Sequence, residues 1–187
     1  IAKLFLDAVM AANVRLRDRM GWNPARRVFA KAHRMLGERM RLFVTGGSKF
    51  DPVIARDLYG LGFTILNAYG LTETSGGATI VRPGDRLNES VGQPFPGVEI
   101  RIAPRSAAPG AGLDEAATAA HDQAAVAADV SDGEVLIRGP IIMREYFNRP
   151  DVTAETLKDG WLHTGDLGRL DSQGRLYITG RQKEIIV

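Results

Sequence analysis

Two short apolar runs, each closed by glycine and separated by a helix-opening Asp-Pro pair, restrict this chain more than any other feature. "RLFVT" (Arg41 to Thr45) runs into "GGSKF", and Asp51 with Pro52 then opens a segment that fades at Gly60 and Gly62. "FTIL" (Phe63 to Leu66) follows and leads into "NAYGLTETSGG". An Asp side chain accepts from the first unpaired N–H groups of a helix, and Pro presets φ at its first position. Strand, glycine turn, helix, strand is the order of a parallel sheet, whose ligands gather outside the carboxyl ends of the strands. Both glycine turns stand at such ends.

The flanking segments extend this pattern. Leu4, Ala8, Ala12, Leu16 and Met20 recur every fourth position and share one stripe of a helix that Gly21 stops. Asn23 offers an N-cap oxygen and Pro24 a first helical residue. Val28, Ala32, Met35 and Leu36 then lie on one face of a second helix until Gly37. Beyond residue 87 the pattern changes to short alternating runs, "GVEIRIA", "GEVLIRG" and "GRLYITG", bounded by Gly or Pro, which predict a β-rich unit. The expected division is therefore 1–87, α/β, and 88–187, β-rich. Residues 104–132, rich in Ala, Gly, Asp and Pro, read as an exposed, disordered insertion, or alternatively as a short Ala-rich helix.

Composition narrows the function classes. With 187 residues, 44% of them hydrophobic, the chain has enough apolar material for one large core or two small ones. Lys plus Arg number 24 against 22 Asp plus Glu, with the signs interspersed, which is no nucleic-acid footprint. The absence of cysteine excludes disulfides and thiolate metal sites and is compatible with a reducing cytosol. His33, His121 and His163 lack a second His or Cys at ligand spacing, so no zinc site is indicated. No apolar stretch is long enough to span a bilayer, and Lys3, Asp7, Asn13 and Arg15 interrupt the opening segment. The chain starts with Ile and ends within "EIIV", which predicts a piece of a longer protein.

"NAYGLTE" combines residue types suited to a nucleotide. An adenine-like base can stack on Tyr69, Gly70 lets backbone approach a phosphate, Thr72 can bond a phosphate oxygen, and Glu73 is a hard ligand for a nucleotide-bound Mg²⁺. Alone, such a stretch reads more often as a strand-ending turn with a surface Glu. Downstream, in order, come "GEVLIRGPIIMREYFNRPDVTAETLKDGWLHTGDLG" and "GRLYITGRQKEIIV". With these four motifs the chain resembles the AMP-forming acyl-CoA synthetases of the adenylate-forming superfamily, over most of its length outside the Ala-rich insertion. The wording is most similar to long-chain fatty acyl-CoA synthetases.

The resemblance implies the end of a parallel-sheet α/β subdomain followed by a distorted β-barrel-like subdomain, ending at an interdomain hinge. Gly46, Gly47 and Ser48 would line one side of the adenine, with Asn67 and Ala68 near the base edge and Tyr69 stacking on it. Thr72 would meet the α-phosphate and Glu73 the magnesium. Asp166 would hold the ribose hydroxyls, two acceptor oxygens matching two vicinal donors, and Arg181 the ribose and phosphate. Lys183 would sit at the hinge. Ser75, Gly76 and Gly77 would leave room for an acyl chain. Trp161 reads as a packing anchor. The "EY" of "MREYFNRP" departs from the family's commoner Gly-Tyr.

The implied reaction uses ATP, Mg²⁺ and coenzyme A: a carboxylate, here a long-chain fatty acid, attacks the α-phosphate to give an acyl-adenylate, and the coenzyme A thiol then displaces AMP. The phosphate loop expected upstream and the small domain with its adenylating lysine expected downstream are missing from the sequence, so this stretch alone is expected to be inactive. The expected location is cytoplasmic, with peripheral membrane contact compatible. Transfer of the acyl group to a carrier protein, as in fatty acyl-AMP ligases and peptide-synthetase domains, is one alternative. A non-catalytic nucleotide-binding module is another.

Overall fold

The computed structural model describes residues 2–37, 39–48, 50–85, 89–104 and 132–182. Most of the Ala-rich segment (105–131) and Lys183 lie outside the described residues. Within them, the first half is α/β and the second is antiparallel β, arranged as two sheets.

The first sheet grows from the strand-helix-strand unit. β1 (Phe43–Thr45) pairs in parallel with β2 (Ile65–Tyr69), Phe43 opposite Ile65 and Thr45 opposite Asn67. Between them runs α4 (Pro52–Gly60), opened as expected: Asp51 Oδ1 accepts from the N–H groups of Val53 at 2.7 Å and Ile54 at 3.3 Å, with Pro52 in the first turn. β3 (Thr79–Ile80) and β4 (Gln93–Pro94) continue the sheet in antiparallel fashion, in the order β1-β2-β3-β4. β4 thus follows residue 87 in sequence yet pairs within the first sheet.

β2 lies later than "FTIL" predicts. Phe63 is withheld from the strand because it packs instead, buried, stacked on His33 at 4.0 Å and edge-on to Phe43 at 5.5 Å. The strand consequently extends through Asn67, Ala68 and Tyr69, carrying the motif on its carboxyl end.

The N-terminal helices contain the largest departures. α1 (Ala2–Met20) forms as expected, and Gly21 stops it at φ 66°. Its docked face, however, is Met10, Asn13 and Arg17, not the apolar stripe: Leu4 is 74% and Met20 71% exposed. The reason is the carboxyl end of α4, whose last carbonyls have no partner within the helix. Asn13 Nδ2 donates to the carbonyl of Gly60 at 3.0 Å. Arg17 Nη1 donates to those of Tyr59 at 2.6 Å and Phe63 at 2.9 Å, with its guanidinium 3.6 Å over the Tyr59 ring.

The second helix is two pieces, α2 (Ala25–Val28) and α3 (Ala30–Leu36), broken at Phe29, and Val28, Met35 and Leu36 are exposed. Asn23 does not cap α2: its Nδ2 donates to the carbonyl of Gly62 at 2.8 Å. The cap comes from α1, where Asn13 Oδ1 accepts from the N–H of Ala25 at 3.1 Å. A long-range partner has displaced the local one.

The second sheet is antiparallel. β5 (Glu99–Ala103), β6 (Gly133–Arg138), β8 (Trp161–Leu170) and β7 (Leu157–Lys158) run in that order, with β9 (Leu176–Arg181) on β8 and a short helix, α5 (Pro150–Thr156), leading into β7. Val98, Val135, Ile137, Leu162 and Leu176 pack with Ala78 of the first half into one core, flanked by Tyr69, Leu71 and Phe95. This apolar seam fixes the first sheet against the second. Trp161 is a packing anchor, buried, with the guanidinium carbons of Arg101 and Arg138 each 4.6 Å from its ring centre.

Candidate functional site

The carboxyl end of β2 faces a kink in β8. Between Glu134 and Leu136 the β6–β8 register slips, so that Thr164, Gly165 and Asp166 stand against Val135 alone. Gly165 takes φ 69°, and its N–H is held by Glu134 Oε1 at 3.0 Å. Thr164 Oγ1 donates to the carbonyl of Val135 at 2.7 Å and accepts from the Asp166 N–H at 3.1 Å. His163 Nδ1 lies 3.2 Å from the other Glu134 oxygen. The bulge aims Asp166 toward the first sheet.

There Asp166, only 5% exposed, meets two partners. The Tyr69 hydroxyl donates to its Oδ2 at 2.7 Å across 97 residues of sequence. Arg181 Nε, opposite on β9, donates to its Oδ1 at 2.7 Å. Burial, and then the bond to Asp166, push the Tyr69 hydroxyl far above the usual phenol range, so it stays a neutral donor. A buried carboxylate shared by a phenol and an exposed guanidinium, beside a tyrosine ring, is a compact polar centre between the sheets.

The glycine turn after β1 reaches the same strand end. Thr45 lies opposite Asn67, and a Cβ added to Gly46 would stand 3.0 Å from the carbonyl oxygen of Ala68. Gly47, at φ 81°, and Ser48 continue this turn on the surface. Asn67 is engaged structurally, its Nδ2 donating to the carbonyl of Ser90 at 3.4 Å.

After Tyr69 the chain closes on itself. Thr72–Thr74 form a 3₁₀ turn, and the buried Thr74 hydroxyl both accepts from the N–H of Leu71 at 2.8 Å and donates to its carbonyl at 3.0 Å. Gly70 is required by this closure: an added Cβ would lie 2.5 Å from Gly77 Cα and 2.6 Å from the Gly76 carbonyl oxygen. Backbone packing within the loop therefore demands the glycine, where the sequence suggested approach to a phosphate. Thr72 is exposed and Glu73 half-buried. Ser75 adopts φ 55°, Gly76 φ 101° with open space at its Cα, and Gly77 backs onto the ring of Phe95.

A segment not foreseen as part of the site covers this turn. The Tyr146 hydroxyl donates to Glu73 Oε1 at 2.5 Å, the Met143 N–H to the Glu73 carbonyl at 2.8 Å, and Ser75 Oγ to the carbonyl of Ile141 at 2.9 Å. The bond to Glu73, with burial second, raises the Tyr146 hydroxyl above its ordinary value. The sequence signal was the phenol of "EYFNRP", which gives no hint of its partner 73 residues upstream.

Among the described residues, no group of three His, Cys, Asp or Glu is placed to hold a metal. A cavity of about 170 Å³ lies behind the sheet, lined by Arg17, Tyr59, Asn67 and Arg82 among others, and its walls include neither Tyr69 nor Asp166.

A family model of AMP-binding enzymes matches residues 8–147. The chain belongs to this family. It is 37% identical, over 162 residues, to a long-chain-fatty-acid–CoA ligase of Mycobacterium bovis, covering 87% of this chain and 22% of the relative. It is 35% identical over 150 residues to an indoleacetate–CoA ligase of Aromatoleum aromaticum, covering 79% and 26%. An O-succinylbenzoate coenzyme A synthetase from Bacillus subtilis, solved in complex with AMP, superposes with a TM-score of 0.63 at 27% identity, covering 84% of this chain and 37% of that one. The chain thus spans about a fifth to a quarter of the length of the curated relatives it matches. The family match contains Tyr69, Glu73 and Tyr146 but ends before Asp166 and Arg181. Among the described residues no helix is long and apolar enough to cross a membrane.

Proposed function

We propose that this chain carries the nucleotide-gripping part of an AMP-forming acyl-CoA ligase. The observation that carries the reading is the 2.7 Å bond from Tyr69 to Asp166, which joins a ring at the carboxyl end of β2 to a buried carboxylate on β8. An adenine stacked on that ring has its ribose within reach of Asp166, whose two oxygens suit vicinal hydroxyls. Arg181, exposed beyond Asp166, bonds the ribose and phosphate edge with its fork. Gly46, Gly47 and Ser48, with Asn67 and Ala68, border the base. Thr72 donates to the α-phosphate.

Glu73 is a single hard carboxylate beside Thr72, with one oxygen occupied by Tyr146. That fits Mg²⁺ carried in with a nucleotide, which takes one or two carboxylates and keeps its phosphate and water ligands. When bound, the ion offsets the phosphate charge. Thr72 and Arg181 add fixed donors where charge grows on oxygen as the carboxylate attacks the α-phosphate and pyrophosphate leaves. Coenzyme A then takes the acyl group and AMP departs. The acyl chain lies along Ser75, Gly76 and Gly77, and Lys183 serves as the hinge.

The relatives named for fatty acid, indoleacetate and 2-succinylbenzoate share the acid–CoA ligation in their names, and the long-chain reading of the substrate rests on the first of these. Pyrophosphate exchange by the full-length ligase, assayed across C4 to C18 fatty acids and arylacetates, tests it. A maximum at long chains supports the reading, and a preference for aryl acids overturns it. Turnover with a carrier protein in place of coenzyme A would assign the chain to the acyl-AMP ligases instead.

A further inference from the structure

We infer that Tyr146 is a positioning residue for the metal-facing carboxylate of Glu73, an inference that rests on the ligase reading above. Three hydrogen bonds join the 141–146 segment to the Thr72–Ser75 turn: Tyr146 hydroxyl to Glu73 Oε1, Met143 N–H to the Glu73 carbonyl, and Ser75 Oγ to the carbonyl of Ile141. Two of the three converge on the same residue, one on its backbone and one on its carboxylate.

This is more than a loop strap. A glutamate on a surface turn has three side-chain torsions to order, and an unrestrained carboxylate sweeps several ångströms. Tyr146 removes that freedom at one oxygen. Its own position is set independently, since its N–H is held by Thr153 Oγ1 at 3.0 Å, and that hydroxyl donates in turn to the carbonyl of Arg149 at 2.8 Å at the start of α5. A phenol can only donate one proton here, so it occupies Oε1 and leaves Oε2 for a cation. Among the described residues no other side chain bonds the Glu73 carboxylate. The result is a carboxylate on the first half of the chain whose orientation is set by a phenol from the second. Hydrogen bonds that orient metal-ligating carboxylates are typically worth ten- to a hundred-fold in metal affinity.

The test uses the full-length ligase with a non-hydrolysable ATP analogue and Mn²⁺ in place of Mg²⁺, reading bound metal by electron paramagnetic resonance. Tyr146→Phe is expected to weaken Mn²⁺ binding about ten-fold, while affinity for the analogue in EDTA stays unchanged. In steady state the same variant needs about ten-fold more Mg²⁺ for half-maximal rate and recovers kcat when Mg²⁺ saturates. Glu73→Gln, which removes the ligand itself, should lose more Mn²⁺ affinity than Tyr146→Phe does. Unchanged Mn²⁺ affinity in Tyr146→Phe, alongside loss in Glu73→Gln, overturns this inference and leaves the ligase reading standing. Retained Mn²⁺ affinity in Glu73→Gln overturns both. Should Tyr146→Phe fail to fold, 3-fluorotyrosine at position 146 keeps the hydroxyl. Its fluorine line must then broaden when Mn²⁺ joins the analogue, and an unbroadened line refutes the placement.

Discussion

Tyr69 and Asp166, 97 residues apart, are joined by a 2.7 Å hydrogen bond in which the phenol donates to a carboxylate that is 5% exposed. One sheet supplies the ring and the other the charge, so the bond couples the integrity of the site to the docking of the two halves.

Removing that donor separates structural from ligand effects. Tyr69→Phe leaves a buried carboxylate with one donor fewer and is expected to cost about 1.5–3 kcal/mol in a urea melt. The ring stays available for stacking, so nucleotide affinity should fall less in Tyr69→Phe than in Tyr69→Ala, compared by isothermal titration. Equal losses in both variants would mean that the ring face contributes nothing.

Arg17 offers a sharper stability prediction. Its guanidinium bonds the Tyr59 and Phe63 carbonyls and overlies the Tyr59 ring, and burial lowers its pKa. Arg17→Met should destabilise by about 1.5–3 kcal/mol, the worth of hydrogen bonds from a charged donor. Arg17→Lys should recover little, since an ammonium cannot reproduce the fork or the stack. Denaturant midpoints of the three proteins decide the point.

Glycine substitutions should divide by surroundings. A Cβ on Gly92 would lie 1.9 Å from the carbonyl carbon of Ile80, at φ 85°, whereas one on Gly174, at φ 71°, meets nothing within 4 Å. Gly174→Ala should cost about 1–2 kcal/mol, from the left-handed backbone alone. Gly92→Ala adds an overpacking penalty of about 1–3 kcal/mol against backbone that cannot rotate away. Thermal melts that rank the two equally would show that the β3–β4 ladder yields easily.

Acid should weaken the bulge that carries Asp166. Burial alone would raise the Glu134 carboxyl, but the bonds from His163 and the Gly165 N–H more than offset it and hold it below its ordinary 4.5. A carboxyl depressed in the folded state stabilises above the unfolded pKa and loses that contribution as pH falls through the folded one. Stability measured by urea between pH 7 and pH 3 should therefore decline below about pH 4.5. Glu134→Gln should start lower at neutral pH and flatten this acid limb. An unchanged slope would remove Glu134 from the acid response.

Much of the chain could be read before folding because its signals are local. The Asp51–Pro52 cap, the Gly21 stop and the alternating runs of the second half act on backbone within a few residues, and they form as expected. The four ordered motifs likewise identified the family without coordinates. Residues with a choice of partner behaved otherwise. Asn23 abandoned its nearby cap for the Gly62 carbonyl, α1 turned Asn13 and Arg17 inward in place of its apolar stripe, and Phe63 left its strand for an aromatic cluster.

What the sequence by itself determined was the strand-helix-strand order of the first half, the β-rich character of the second and the chemical types at the strand ends. What only the tertiary structure decided was who bonds to whom: Asn13 capping a helix it does not belong to, Tyr69 meeting Asp166, and Tyr146 holding Glu73. The physical reason is one of range. Backbone torsions and caps respond to neighbours along the chain, whereas buried donors, acceptors and orphan carbonyls take whichever partner packing brings within hydrogen-bond reach.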